Sequence, residues 1–125
     1  MKETGISINK HIYSILSQNS DLKKIVNKKI YPLIAEESTT FPFIVFKKNT
    51  ITTEYCKDGS TLDRVNFSIV SVARDYTTTV TISEIVRNSI EMLKDEYFKL
   101  VHLSQVTEDY IDDVYTQELS FDAII

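Results

Sequence analysis

The amino-acid sequence predicts an α+β fold, in which an antiparallel β-sheet is packed on one face by a long helix and by helices at the N-terminus. Two short helical patterns come first, one long helical pattern lies in the second half, and β-type segments flank that long helix. The predicted order is helix, helix, edge strand, hairpin, helix, hairpin, which is typical of a sheet with helices on one side. A chain of 125 residues fits a single domain, 1–125, and can bury a substantial core.

Two short amphipathic helices are predicted before residue 30, because apolar residues recur there at helical spacing. Their buried faces are expected to consist of Ile8, Ile12, Ile15 and Leu16 in the first helix and of Leu22, Ile25 and Val26 in the second. Ser20 or Asp21 is a suitable N-cap for the second helix. The basic residues that follow this cap are Lys23, Lys24, Lys28 and Lys29. They are expected to form a solvated face, or else an electrostatic contact with an acidic neighbouring subunit or with DNA.

An edge strand and a hairpin are predicted next. Pro32 cannot donate a ladder hydrogen bond, so its strand belongs at an edge of the sheet. Asp58 and Gly59 form a dipeptide that is typical of hairpin turns. The predicted elements are an edge strand at 30–34, a polar loop at 35–41, a strand at 43–46 that continues or bends through 50–55, a turn at 57–60 and a strand at 65–72.

The second half of the chain is predicted to form a long helix and a second hairpin. Asp75 is a plausible N-cap, although the threonines that follow it are poor helix formers. The last strand alternates clearly, with Phe121 on its buried face and Glu118 on its other face. The predicted elements are a helix at about 77–93, a strand at 99–107, an acidic connection at 108–113 and a strand at 115–125.

Composition excludes several classes of function. The formal net charge of −4 is unlike that of a dedicated nucleic-acid-binding protein. Only two glycines occur, so the glycine-rich phosphate loops are missing. The single cysteine, Cys56, cannot form an intramolecular disulfide, which suits a reducing cytoplasm. No signal peptide and no membrane-length apolar stretch is seen, so a soluble protein made in the cytoplasm is expected.

No residue pattern indicates catalysis or metal binding. His11 and His102 lack nearby partners with metal-ligand spacing, and Cys56 lacks a matching base. The acidic residues of the predicted connection are Glu108, Asp109, Asp112 and Asp113. They lack the spacing and the glycine of a calcium-binding loop and are expected to form a solvated turn. We therefore expect no enzymatic activity and no cofactor.

Four sequence segments together resemble the tail completion and head–tail joining proteins of long-tailed bacteriophages, a family long catalogued as a domain of unknown function. The segments are DLKKIVNKKIYP, FPFIVF, NFSIVSVARDYTTTVTISEIVRNSI and EDYIDDVYTQELSFDAI, and the similarity runs from Ile8 to Phe121. The family pattern of an Ala-Arg pair, an aromatic residue and an arginine late in a helix is matched by Ala73, Arg74, Tyr76 and Arg87.

This resemblance implies a structural virion protein of a phage or prophage. Such relatives form a homo-oligomeric ring, often a hexamer, at the top of the tail tube, where the ring ends tube growth and presents a surface to the head connector. The implied partners are other copies of the chain, the tail tube protein and the head connector proteins, with DNA only as passing cargo and no membrane. The implied location is the bacterial host cytoplasm during assembly and then the head–tail junction of the virion.

Assembly contacts are expected in the loops and at the edges of the sheet. The loop 36–40 lies between two prolines, and a sheet edge can pair with another chain, either at the strand with Tyr31 or at the strand that ends at Ile125. The candidate interface residues are Tyr31, Glu36, Glu37, Ser38, Thr39, Tyr55, Glu108, Asp109 and Tyr110. In a ring, the acidic residues are alternatively expected to line the lumen.

Two other function classes remain as alternatives. A small intracellular ligand-binding or regulatory domain would have a concave apolar pocket and would be a monomer or dimer. An enzyme is least favoured, because no pair of nucleophile and base can be assembled from the sequence.

Overall fold

Three helices and five strands make up residues 4–125, which are the residues that this computed structural model describes. The helices are α1 (Asn9–Gln18), α2 (Ser20–Val26) and α3 (Tyr76–Ile90). The strands are β1 (Ile30–Pro32), β2 (Phe43–Tyr55), β3 (Thr61–Ala73), β4 (Leu100–Ile111) and β5 (Val114–Ile124). The predicted α+β class is confirmed.

All five strands form one sheet in the order β1-β2-β3-β5-β4. The pairs β2–β3, β3–β5 and β4–β5 are antiparallel, whereas β1 pairs parallel to β2. The sheet is therefore mixed, because the loop after β1 carries the chain back to the level of Ile30 before β2 begins. The predicted edge position of β1 is confirmed. The prediction of an edge at the strand ending at Ile125 is wrong, because β5 lies between β3 and β4.

The strand registers place residues of all five strands at common levels along the strand direction. One level contains Ile30, Ile44, Ser71, Gln117 and Glu108, and a second level contains Pro32, Phe46, Ile69, Leu119 and Val106. Paired residues share a face of a sheet. These two levels lie on the face that carries the helices, which we call the helix face; the other is the open face. Strand β1 at one edge thus lies level with residues 106–108 of β4 at the other edge.

The core lies between the helix face and the three helices. Phe121 packs against Phe67 with ring centroids 5.3 Å apart, and Phe67 in turn packs against Phe98 at 6.1 Å. Helix α1 contributes Ile12 and Leu16, which are fully buried. The remaining buried apolar residues of the helices are Leu22, Val26, Ile82, Val86 and Ile90. The helical spacing of these residues explains why the short elements are helical at all, since burial rather than propensity stabilises helices of this length.

Helix α2 begins one residue earlier than expected. Its N-cap is Asn19 and not Ser20 or Asp21, because the Asn19 side chain accepts hydrogen bonds from the backbone N–H groups of Asp21 and Leu22. The Asn19 amide also donates to the Ser89 hydroxyl of α3 at 2.7 Å. Asn19 therefore both caps α2 and joins it to α3.

We expect Asn19→Ala to lower the free energy of unfolding by about 1–2 kcal/mol, because two N–H groups lose their acceptor and the contact with Ser89 is lost. Chemical denaturation monitored by circular dichroism measures this difference. Asn88→Ala is the matched control, since Asn88 is exposed on α3, and it should change stability by less than about 0.5 kcal/mol. Equal effects of the two substitutions would contradict the capping role.

Helix α3 confirms Asp75 as its N-cap, since the Asp75 carboxylate accepts from the Thr78 backbone N–H. The helix ends at Ile90, earlier than the predicted residue 93, because Met92 adopts a positive φ and its N–H donates to the Val101 carbonyl of β4. The threonine hydroxyls bond within the opening of the helix, since Thr78 donates to the Asp75 carboxylate at 2.7 Å and Thr79 donates to the Tyr76 carbonyl at 2.6 Å. Thr79 is fully buried, and the Ser71 hydroxyl of β3 reaches its carbonyl oxygen at 3.3 Å.

Both hairpins differ from the predicted ones in length. The turn at 57–60 is confirmed, but β2 and β3 extend to it without interruption apart from a bulge between Lys48 and Thr50. The acidic connection predicted at 108–113 is mostly strand, since β4 continues through Ile111. Asp112 and Asp113 alone form the turn, with φ of 53° and 63°, which is the backbone geometry of a tight two-residue hairpin.

Candidate assembly surfaces

The outer edge of β4 is open along the second half of the strand. Residues that flank a two-residue hairpin turn bond to each other, and bonding alternates along an antiparallel pair. The backbone groups of Val106, Glu108 and Tyr110 therefore point away from β5. The Tyr110 N–H accordingly donates to the Asp109 carboxylate at 2.8 Å. Within residues 4–125, no other backbone segment bonds to this outward side between Val106 and Ile111.

Both apolar and acidic side chains are exposed along this open edge. Val106 is 50% exposed, and Tyr110 and Ile111 are more exposed still. Glu108 and Asp109 lie between them and are also exposed. We call residues 106–113 the acidic edge. Long exposed edge strands that carry apolar residues are sites of pairing or docking between chains.

Hydrogen bonds hold two carboxylates of the acidic edge in place. Glu108 accepts from the Tyr76 hydroxyl at 2.8 Å and from the Gln117 amide at 3.1 Å. The hydrogen bond between the Tyr76 hydroxyl and Glu108, together with the charge of Glu108, raises the pKa of the Tyr76 phenol. Asp113 accepts from the Tyr110 hydroxyl at 3.0 Å, and that bond raises the pKa of Tyr110. Both tyrosines therefore remain protonated donors at neutral pH.

The opposite edge, at β1, has a different character. The Ile30 N–H donates to the Lys28 carbonyl, Pro32 has no N–H, and the Pro32 carbonyl accepts from Ile34. This edge offers almost no free backbone donor, so it is protected from further strand pairing. Apolar side chains are exposed next to this edge instead, since Leu33 is 72% exposed and Ile34 is 80% exposed.

A shallow apolar groove of about 260 Å³ lies beside Leu33 on the helix face. Its lining residues are Asn9, Pro32, Leu33, Phe46, Lys47 and Lys48. Lys24 and Lys28, at the end of α2 that leads into β1, are exposed. We call the groove together with Lys24, Lys28 and Ile34 the basic edge.

Strand β1 is shorter than predicted, and its end explains the exposed apolar pair. The predicted strand 30–34 ends at Pro32, because Leu33 has a φ of 65° and turns the chain away from the sheet. The Leu33 N–H still donates to the Phe46 carbonyl. Leu33 and Ile34 therefore leave the sheet without entering the core.

The predicted contact loop at 36–40 is partly tied down. The Tyr31 hydroxyl and the Thr39 hydroxyl lie 2.8 Å apart, and the Lys29 ammonium donates to the Thr40 carbonyl at 3.1 Å. Glu36, Glu37 and Ser38 are exposed at the tip of the loop. The structure thus brings Tyr31 together with Thr39 and leaves the two glutamates free to meet another molecule.

Tyr55 lies apart from the other candidate residues. It is 81% exposed and is next to the turn of the β2–β3 hairpin. This hairpin extends beyond β5, whose last paired residue, Ile124, is opposite Arg64. Tyr55 and the loop 36–40 are therefore at opposite ends of the strands, and the predicted interface residues fall into three separate surfaces.

Residues that could carry chemistry are scattered. The His11 Nε2 lies 2.7 Å from an oxygen of Asp95, and the His11 ring packs on Tyr97, whereas His102 and Cys56 are exposed elsewhere. Among residues 4–125, no group of three side chains of the kinds that bind metals comes together. In the same part of the chain, none of the helices has the length and apolar character that a bilayer-spanning segment needs.

A cleft of about 430 Å³ between α1 and the segment after α3 does not have the apolar lining that a small-molecule site would need. Its lining residues are Ser7, Ile8, Lys10, His11, Ser14, Glu96 and Tyr97, most of which are polar. Ligand pockets are lined predominantly by apolar and aromatic side chains. The cleft therefore gives little support to a ligand-binding domain.

Asp95 connects α1 to the segment after α3. Partial burial opposes its ionisation, but hydrogen bonds from the backbone N–H groups of Phe98 and Tyr97 and from His11 outweigh this effect. The pKa of Asp95 therefore lies below its ordinary value. A lowered pKa means that the ionised form stabilises the fold above the ordinary pKa of an aspartate, and that this stability is lost as the pH falls through the lowered value.

We expect Asp95→Asn to be less sensitive to acid than the unchanged protein. The variant should be less stable at pH 7, and the difference between the two proteins should shrink below about pH 4, where aspartates protonate. Urea unfolding at a series of pH values measures this. Glu96→Gln is the control, because Glu96 is exposed, and it should run parallel to the unchanged protein. A constant difference for Asp95→Asn at all pH values would contradict the assignment.

A solved structure contains a chain whose fold is similar to that of this protein. A chain in the virion of a native gene transfer agent (GTA) particle superposes on this chain with a TM-score of 0.78, and the alignment covers 90% of each chain. The two chains share a fold. They are identical at 13% of positions, so the similarity concerns the fold alone. No protein-family model matches this chain, and no curated protein matches it.

Four exposed apolar residues of the two edges were not predicted from the sequence: Leu33, Ile34, Val106 and Ile111. Leu33 and Ile34 follow a proline, which was a signal that the strand could end there. Val106 and Ile111 lie in β4, which is at the edge of the sheet, and only the strand order identifies them as exposed.

Proposed function

We propose that this protein is a structural component of a phage or prophage virion, a homo-oligomeric ring subunit that completes the tail and joins it to the head. The observation that carries the proposal is the fold shared over 90% of both chains with a chain of the gene transfer agent virion, a phage-like particle. The sequence resemblance to tail completion proteins supports the same reading independently.

The distribution of exposed surfaces fits a subunit that contacts several neighbours. The two edges of the sheet carry exposed apolar side chains, which suits contacts between copies. The loop with Glu36 and Glu37 and the hairpin with Tyr55 lie at opposite ends of the strands. In a ring whose axis follows the strands, one end would meet the tail tube protein and the other would meet the head connector. DNA would pass through the ring as cargo.

The test is the mass of the protein in solution, alone and mixed with a phage tail tube protein. Light scattering over a concentration series should show closed oligomers, or monomers that become rings when tube protein is added, and negative-stain images should show the rings. A monomer at every concentration that does not bind the tube protein would overturn the proposed function.

A further inference from the structure

We infer that neighbouring copies meet head to tail, with the acidic edge of one copy packed against the basic edge of the next. This inference rests on the proposed ring and identifies the two surfaces that would form it. Both surfaces belong to the same chain and lie at opposite margins of the sheet. Contacts of this kind are heterologous, and they close into rings when the rotation between copies allows it.

The heights of the two edges match. Val106 on β4 shares its level with Pro32 on β1, and Glu108 shares its level with Ile30. Strand β4 also runs antiparallel to β1, as the three antiparallel pairs and the one parallel pair of the sheet require. A copy that is rotated about an axis along the strands, without sliding, would therefore place its β4 beside β1 of its neighbour at the correct level.

The shapes of the two edges fit at that level. Val106 is a half-exposed apolar side chain on the helix face of β4. The groove beside β1 is on the same face, and its walls include Pro32 and Phe46 of the same level. The Val106 side chain of one copy would enter the groove of the next and remove apolar surface from water on both sides.

Charge complements this fit. Glu108 and Asp109 are level with the start of β1. Lys28 precedes β1 by two residues, and Lys24 lies in the last turn of α2. The β1 edge has almost no free backbone donor. The two ammonium groups supply donors in its place, both to the carboxylates and to the outward carbonyl oxygens of β4. Charges arranged in this way determine which surfaces meet.

The same charges disfavour the symmetric alternative. Two copies of β4 could pair with each other through their open backbone groups and form a twofold dimer. That arrangement would place Glu108 and Asp109 of one copy near the same carboxylates of the other. Like charges opposite each other in neighbouring strands are destabilising, whereas the head-to-tail contact brings opposite charges together.

The test is charge reversal at each edge, separately and together. Glu108→Lys with Asp109→Lys should weaken assembly at least about tenfold, and so should Lys24→Glu with Lys28→Glu. All four substitutions in one chain restore the formal net charge of −4, and they should restore assembly. An equimolar mixture of the two double variants should also assemble, because every junction in an alternating ring would then pair opposite charges.

Sedimentation velocity and light scattering measure the association, and circular dichroism establishes that each variant is folded. Glu84→Lys with Glu96→Lys is the control for Glu108→Lys with Asp109→Lys, since it raises the net charge by the same amount on exposed residues outside the two edges, and it should assemble like the unchanged protein. Val106→Arg provides a second variant that leaves the contacts of Glu108 with Tyr76 and Gln117 intact, and it should weaken assembly by a similar factor.

Three outcomes would overturn the inference. Rings that persist in both double variants would place the contact elsewhere and leave the proposed function standing. Failure of the four-substitution variant and of the mixture to assemble, with every variant folded, would exclude the pairing of these charges. An unchanged protein that remains monomeric at all concentrations, and that forms no rings when tail tube protein is added, would overturn the proposed ring and this contact with it, whereas the first two outcomes overturn the contact alone.

Discussion

Phe121→Asp is expected to unfold the protein. Phe121 has no exposed surface and packs beside Phe67, its register partner on β3, in the core under the helices. Replacing the ring with a carboxylate loses its packing, worth about 3–5 kcal/mol for a buried phenylalanine, and also places a charge without a partner in an apolar site. Since a domain of this kind is stable by only about 5–15 kcal/mol, little or no native state should remain.

Circular dichroism and the dispersion of amide signals in NMR spectra measure this loss directly. Glu118→Ala on the same strand is the control. The Glu118 carboxylate is on the open face and accepts from the Ser68 hydroxyl at 3.1 Å, so its loss should cost about 1 kcal/mol and leave the protein folded. If Phe121→Asp melted like the unchanged protein, the register of β5 would be wrong.

Phe98→Ala is expected to lower the free energy of unfolding by about 3–5 kcal/mol. Phe98 is the only fully buried phenylalanine outside the strands among residues 4–125, and its ring packs on both Phe67 and the His11 ring. It anchors the segment between α3 and β4. Its removal should therefore release that segment from α1 in addition to leaving a cavity.

Urea unfolding measures the global effect, and limited trypsin digestion measures the local one. Cleavage after Lys94 and Lys99 should become faster in Phe98→Ala than in the unchanged protein. Phe98→Leu fills most of the space and should cost less than about 2 kcal/mol without faster cleavage. An alanine variant that unfolds at the same urea concentration as the leucine variant would show that Phe98 is not an anchor.

The elements of the fold were predictable because each had a clear local signal. Ile12 and Leu16 are spaced as in a helix, and Asp75 has a short side chain whose carboxylate accepts a hydrogen bond from a helix N-terminus. Pro32 cannot donate a ladder hydrogen bond, which excluded β1 from the sheet interior. The strand neighbours were not predictable from such signals. Alternation along β5 reports that one of its faces is buried and does not report what lies beside it, so β5 was wrongly expected to be a possible edge.

The candidate surfaces were predictable only in part for a related reason. Glu108, Asp109 and Tyr110 were expected in a polar connection, because acidic residues are uncommon in strands. The structure pairs them with β5 and places the turn at Asp112 and Asp113 instead. The exposure of Val106 and Leu33 depends on which strands are at the margins, and that is a property of the whole sheet and not of the local sequence.

The equal height of the two margins of the sheet has a consequence for the geometry of growth. A subunit that joined its neighbour at a displaced level would climb with each addition, and the chain of copies would become a helical filament. Here Val106 and Pro32 are level, so a side-by-side contact between them has no axial rise. Successive copies would stay at one level, and a rotation that brings the last copy back to the first would close them into a flat disc, with one strand end on its upper surface and the other on its lower surface.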